Sequence, residues 1–141
     1  MEVATAFPGN SAIRPQNIST IAQVLKLNGY STAAFGKYHE TPPWEASVSG
    51  PYDRWPTGSG FDKFYGFIGG ETNQWHPMVY DGTTRVYPNV DDPNYHFTND
   101  MTDQALQALL AAGEHLGALV DIVMARVGRD DAVEVCEDGR E

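Results

Sequence analysis

The sequence is poor in several things. It has one cysteine, Cys136, so no internal disulfide framework can form. It is short of cations: Lys and Arg number 9 against 19 Asp and Glu, a formal net charge of −10. A chain of that sign has no general attraction for phosphate backbones or anionic lipid, so neither nucleic acid nor a membrane is an expected partner. No apolar run approaches the ~18 residues that a membrane-spanning helix needs. Residues 1–10 lack a basic start and an apolar core, so they do not read as a signal peptide, and localisation stays open. From residue 98 onward there is no proline and no aromatic residue.

What is present fits one modest globular domain: 141 residues, 41% hydrophobic and 20% charged. All nine prolines and all 16 aromatics lie at or before Phe97. Charge divides similarly, with six basic and nine acidic groups up to residue 97, and three and ten after it. A turn-rich, packed segment is therefore expected to give way to an aliphatic, acidic, helical one. No internal repeat or low-complexity tract is visible.

Thr20 and Gln23 stand at capping-box spacing before a helix expected over residues 21–28, with Ile21, Val24 and Leu25 as its apolar face. Gly29 suits a left-handed helix end. Residues 30–35 read as a short buried strand, so helix, glycine and strand make half of a βαβ unit. Four prolines and three glycines punctuate residues 40–60, a length of loop that is uncommon in a compact domain unless it has a function. A strand is expected over residues 61–68. Asp81-Gly82 signals a hairpin between residues 74–80 and 83–87. Asp91 to Asn94 reads as a turn. Asp100 is expected to cap one long helix, with Met101, Ala105, Leu106, Leu109, Leu110, Leu116, Leu119, Val120 and Val123 as its apolar positions and Gly128 as its stop.

The cluster that suggests chemistry is Gly36-Lys37-Tyr38-His39, placed just beyond the first strand. Ligands of open α/β sheets bind at the carboxyl ends of strands. Lys37 and His39 are two apart, which in extended backbone directs both to one side. An ammonium beside an imidazole suits an oxyanion: the lysine offsets charge, and the histidine moves a proton near neutral pH. An exposed lysine next to a hydrogen-bonded loop histidine is the plainer alternative. His76 and His96 read as surface or packing residues, and His115 as a residue on the polar face of the late helix. Trp44, Tyr52, Trp55, Phe61, Phe64, Tyr65 and Phe67 could face a sugar or aryl ligand, or anchor a core. Cys136, among acidic neighbours, is a poor nucleophile. Asn17-Ile18-Ser19 fits the N-glycosylation pattern, which matters only in a secreted chain.

The run from Thr20 to His39 resembles the stretch of arylsulfatases that follows their modified-cysteine motif. Further likeness lies in Thr41 to Trp44, Gly60 to Phe67, Gly70 to Trp75, Tyr80 to Gly82 and Tyr95 to Thr98, so that the resemblance covers about Phe7 to Leu106. Tyr38 stands where tryptophan is common. The resemblance implies a sulfate-ester hydrolase with an α/β, partial alkaline-phosphatase-like fold: an incomplete sulfatase domain over residues 1–106, then a helical acidic tail over 107–141 without family likeness. Its substrate would be a small-molecule or sugar sulfate ester. In that family a cysteine or serine becomes formylglycine, and a divalent cation, usually calcium, polarises the sulfate. Carried over, Lys37 would bind a sulfate oxygen, and His39 would contact the formylglycine and act as base when sulfate is expelled.

The Cys/Ser-x-Pro-x-Arg run is absent from this sequence, and the family's metal ligands have no counterpart. The strand that the family places after its second helix, leading to a histidine, is not expected here either. The chain alone is therefore expected to be inactive, marginally stable, and prone to self-association through uncovered sheet edges. A slice of a related phosphatase or phosphonate hydrolase, or a non-catalytic binding module using the aromatic residues 44–67, are the alternatives.

Overall fold

Local chemistry starts the fold. In the computed structural model, which describes residues 13–15, 17–89, 92–113 and 120–125 (the last by backbone only), Thr20 and Gln23 close the capping box. The Thr20 hydroxyl accepts from the Gln23 N–H at 3.0 Å, and Gln23 Oε1 accepts from the Thr20 N–H at 2.9 Å. The helix they start, α1, spans Ile21–Leu27. Gly29 follows at φ 85° and lets the chain turn into β1, Ser31–Tyr38.

The expected apolar face of α1 is not the one buried. Ala22 is buried, whereas Ile21 and Val24 are 66% and 48% exposed. The docking contact explains the rotation. The Thr20 hydroxyl donates to the Ser59 carbonyl at 2.5 Å. Gly60 lies so close that a Cβ there would come 2.5 Å from the Gln23 backbone nitrogen. That contact turns the smallest apolar residue inward.

β1 joins β2, Lys63–Ile68, in parallel. Asp62 fastens their starts together: its carboxylate accepts from the Thr32 N–H at 3.0 Å, and its own N–H donates to the Thr32 carbonyl at 2.8 Å. The Asp81-Gly82 signal is borne out as a hairpin, β3 Val79–Asp81 and β4 Thr84–Val86. Then α2 runs Phe97–Gly113 and β5 runs Val120–Ala125. The sheet order is β4-β3-β2-β1-β5, with β1 parallel to both neighbours and β3 and β4 antiparallel.

Three expectations are corrected here. The late helix begins at Phe97, because the His96 carbonyl accepts from the Asn99 and Asp100 N–H groups and His96 Nδ1 accepts from Thr98 N–H. That helix ends at Gly113, and Val120 and Val123 belong to a strand. A short aliphatic run fits either period, and the open edge of β1 offers it a hydrogen-bonded ladder. The strand not expected after the second helix is thus present, although no histidine follows it in the sequence. His115, Leu116, Leu119, Gly128 and Cys136 lie outside the described residues.

Two cores flank the sheet. Ala33, Phe35, Tyr65, Phe67 and Val79 pack against Phe97, Met101 and Ala105 of α2. On the other face Ala34, Phe64 and Tyr80 pack against Ala22, Trp55 and Phe61. Leu106, Leu109 and Leu110 of α2 are exposed. Among the described residues no helix is long and apolar enough to cross a membrane.

Candidate active site

The carboxyl edge of the parallel strands is built by a glycine pair. Gly36 and Gly66 face each other across β1 and β2. A Cβ on Gly66 would fall 1.9 Å from the Gly36 carbonyl oxygen, so only glycine permits this approach. Gly36 has φ 98°, a left-handed value that other residues rarely adopt. The ladder therefore continues past Gly36, and β1 includes Lys37 and Tyr38. The expected strand end at residue 35 is corrected on this account.

Tyr38 packs with Ile68 on the Phe64 side, its ring edge-on to Phe64 at 6.2 Å. Lys37, its neighbour, therefore faces the α2 side of the sheet. It is half-buried, and among the described residues its ammonium has no hydrogen bond or ion pair. His39 is exposed and leans on the end of β2: a Cβ on Gly70 would lie 3.3 Å from its Cε1. Both candidate residues thus sit at one strand end, reachable from outside. The Tyr38 hydroxyl is buried and has no partner among the described residues.

The loop 69–78 after β2 stays at the same edge. Asn73 Oδ1 accepts from the N–H groups of Trp75 and His76, each at 2.9 Å, and the Thr72 hydroxyl accepts from Met78 N–H at 3.0 Å. Phe97 N–H donates to the Gln74 carbonyl at 2.8 Å and fastens the loop to the start of α2. Trp75 comes to rest edge-to-face with His96, ring centres 5.5 Å apart. No short-range signal in the sequence joins Trp75 and His96, which are 21 residues apart. His76 Nδ1 meets the Asn89 side-chain amide at 3.0 Å.

The aromatic loop is mostly structure. Trp55, Phe61, Phe64, Tyr65 and Phe67 are buried, and Trp44 and Tyr52 alone of that set are exposed. Trp55 donates its indole N–H to the Glu45 carbonyl at 2.7 Å. At the start of α2, Asp100 Oδ2 accepts from the hydroxyls of Tyr65 and Tyr95 at 2.6 and 2.8 Å. Burial first, then the Asp100 carboxylate, pushes both phenols well above the ordinary tyrosine range.

Other concave places offer weaker chemistry. A cleft of about 800 Å³ is lined by Arg14, Lys26 and Arg54. Each cation there is already engaged: Arg14 with the Ser59 hydroxyl, Lys26 with Asp62, Arg54 with Glu45. A second, of about 380 Å³, lies at the opposite sheet edge between Thr32, Lys63 and Ala108, and is mainly apolar. Among the described residues no three His, Cys, Asp or Glu side chains gather as a cation-holding group. Asp92 instead shapes the expected turn, its carboxylate accepting from Asn94 N–H at 2.8 Å.

Human arylsulfatase D is 35% identical over 63 residues, 45% of this chain and 10% of that protein. A crystal structure of Ps i-CgsB superposes with a TM-score of 0.61 at 18% identity, covering 79% of this chain and 27% of the other. The same protein in complex with k-i-k-neocarrahexaose gives 0.61 at 19%, over 78% and 26%. The chain thus spans about a quarter of those structures. Their shared architecture supports an α/β fold for this chain. A model of the sulfatase family matches residues 3–117, most of the chain, and the chain belongs to the sulfatase family.

Proposed function

We propose that this chain is part of an arylsulfatase-type sulfate-ester hydrolase, in which Lys37 and His39 hold the sulfuryl group. The observation that carries the reading is a half-buried lysine without a protein partner among the described residues, placed two residues before an exposed histidine at a parallel strand end. A lysine ammonium so placed attracts a sulfate oxygen and offsets charge that grows on it during transfer. The exposed His39 imidazole at the same strand end can donate a hydrogen bond to a sulfate oxygen.

Binding without turnover is the expected behaviour of the chain alone. It has no Cys/Ser-x-Pro-x-Arg run, and its described residues gather no cluster of three His, Cys, Asp or Glu side chains. One ammonium and one imidazole do not supply the ~8 kcal/mol that even modest enzymes remove from a barrier. The test is purified chain with 4-nitrophenyl sulfate and calcium. No released phenol, together with saturable binding that Lys37→Ala abolishes, supports the reading. Turnover abolished by Lys37→Ala would overturn the inactivity and keep the site. Binding indifferent to Lys37→Ala and His39→Ala would overturn the site.

A further inference from the structure

We propose that Trp75, braced by His96, is a stacking platform for a sugar ring attached to the sulfate held at Lys37 and His39. This rests on the reading of those two residues as the sulfate end, and narrows its substrate to a carbohydrate sulfate. Trp75 is 59% exposed, an unusual state for the largest apolar side chain in a loop this well fastened. It is not loosely placed. Asn73 fixes its backbone, the Gln74 carbonyl anchors the loop to Phe97, and His96 meets it at 89°. A rigid, solvent-facing indole has already given up the freedom that ligand binding would otherwise cost.

Position joins the platform to the sulfate end. The loop that carries Trp75 leaves β2 at Gly70, which lies against His39. α2 leads into β5, which runs parallel to β1, so the first turn of α2, and His96 before it, stand at that same carboxyl edge. Trp75 stands five positions beyond Gly70, at most about 18 Å of extended chain. The surroundings select the ligand class. An aryl group seeks an enclosed apolar slot. Trp75 stands in the open, flanked by Asn73, Gln74 and His76, the first and last of them exposed. One apolar face with a polar rim suits a pyranose, which offers C–H bonds on its face and hydroxyls at its edge.

The test uses the full chain and the indole N–H resonances of its three tryptophans. The probes are a sulfated galactan tetrasaccharide, its desulfated counterpart, and 4-nitrophenyl sulfate. Both tetrasaccharides are expected to shift the Trp75 signal saturably and leave buried Trp55 unmoved. Trp75→Ala should weaken both by about tenfold, as loss of one stacked ring would, and Lys37→Ala should weaken only the sulfated one. An unmoved Trp55 resonance in Trp75→Ala shows that the fold is kept. Wild-type affinity in Trp75→Ala overturns the platform, even where Lys37→Ala still loses the sulfated sugar. A Trp75 signal moved by the aryl sulfate and not by the desulfated sugar also overturns it. Loss on Trp75→Ala with no effect of Lys37→Ala keeps the platform and removes the sulfate end.

Discussion

Two loops leave the same edge of the sheet and use their aromatic residues in opposite ways. The long one, after β1, buries Trp55 completely and joins it edge-on to Tyr52 and Tyr80 at 5.3 and 5.1 Å. The short one, after β2, holds Trp75 in solvent against His96. The long loop has the richer composition and mainly builds the second core. The short loop has little composition to notice, yet it lies beside His39. Aromatic density therefore marks where a core needed filling, and a fixed but exposed ring marks where a ligand can dock.

The comparison breaks most visibly at Trp55. Trp55→Ala should cost about 3–5 kcal/mol in thermal or urea unfolding, because it empties a fully enclosed site. A loss below 1 kcal/mol would show that the long loop is not a core element. Gly66→Ala should cost about 1–3 kcal/mol by overpacking, since its Cβ has no room beside the Gly36 carbonyl. It should also weaken sulfate binding at Lys37 more than its stability loss explains, which calorimetric titration of the folded variant can check.

Tyr38→Phe acts in the opposite direction. Its hydroxyl is buried without a partner among the described residues, so removing it should leave stability unchanged or raise it by about 1 kcal/mol. A clear loss in denaturant midpoint would show that the hydroxyl is satisfied. The smallest effect concerns Asp62. Partial burial raises its carboxyl, but Lys26 and the Thr32 N–H and hydroxyl outweigh that and hold it below the usual 3.8. A depressed folded value means the stabilisation is complete above about pH 4 and fades as pH falls through the folded value. Asp62→Asn should flatten that acid-side slope slightly, since the pair is exposed.

Much of this was legible locally. The capping box at Thr20 and Gln23 lies within four residues, and the Asp81-Gly82 hairpin within seven, so each could be read directly. The alternation around Phe64 predicted β2. Lys37 and His39 stood out by spacing and by family likeness. What stayed hidden depended on partners far along the chain. The inward turn of Ala22 follows from Gly60, 38 residues later. The extension of β1 through Lys37 needed Gly66 opposite Gly36. β5 competes with a helix on nearly equal local terms, and its pairing with β1 decides the outcome. Trp75 and His96 meet through a backbone bond between Phe97 and Gln74 that no motif announces.

The most direct measurement is a backbone and side-chain NMR titration of the chain with 4-nitrophenyl sulfate. The geometry predicts saturable shifts centred on Lys37, His39, Gly69 and Gly70, lost in Lys37→Ala. Shifts gathered instead on Arg14, Lys26 and Arg54, and unchanged in that variant, would place the anion in the basic cleft and contradict the assignment.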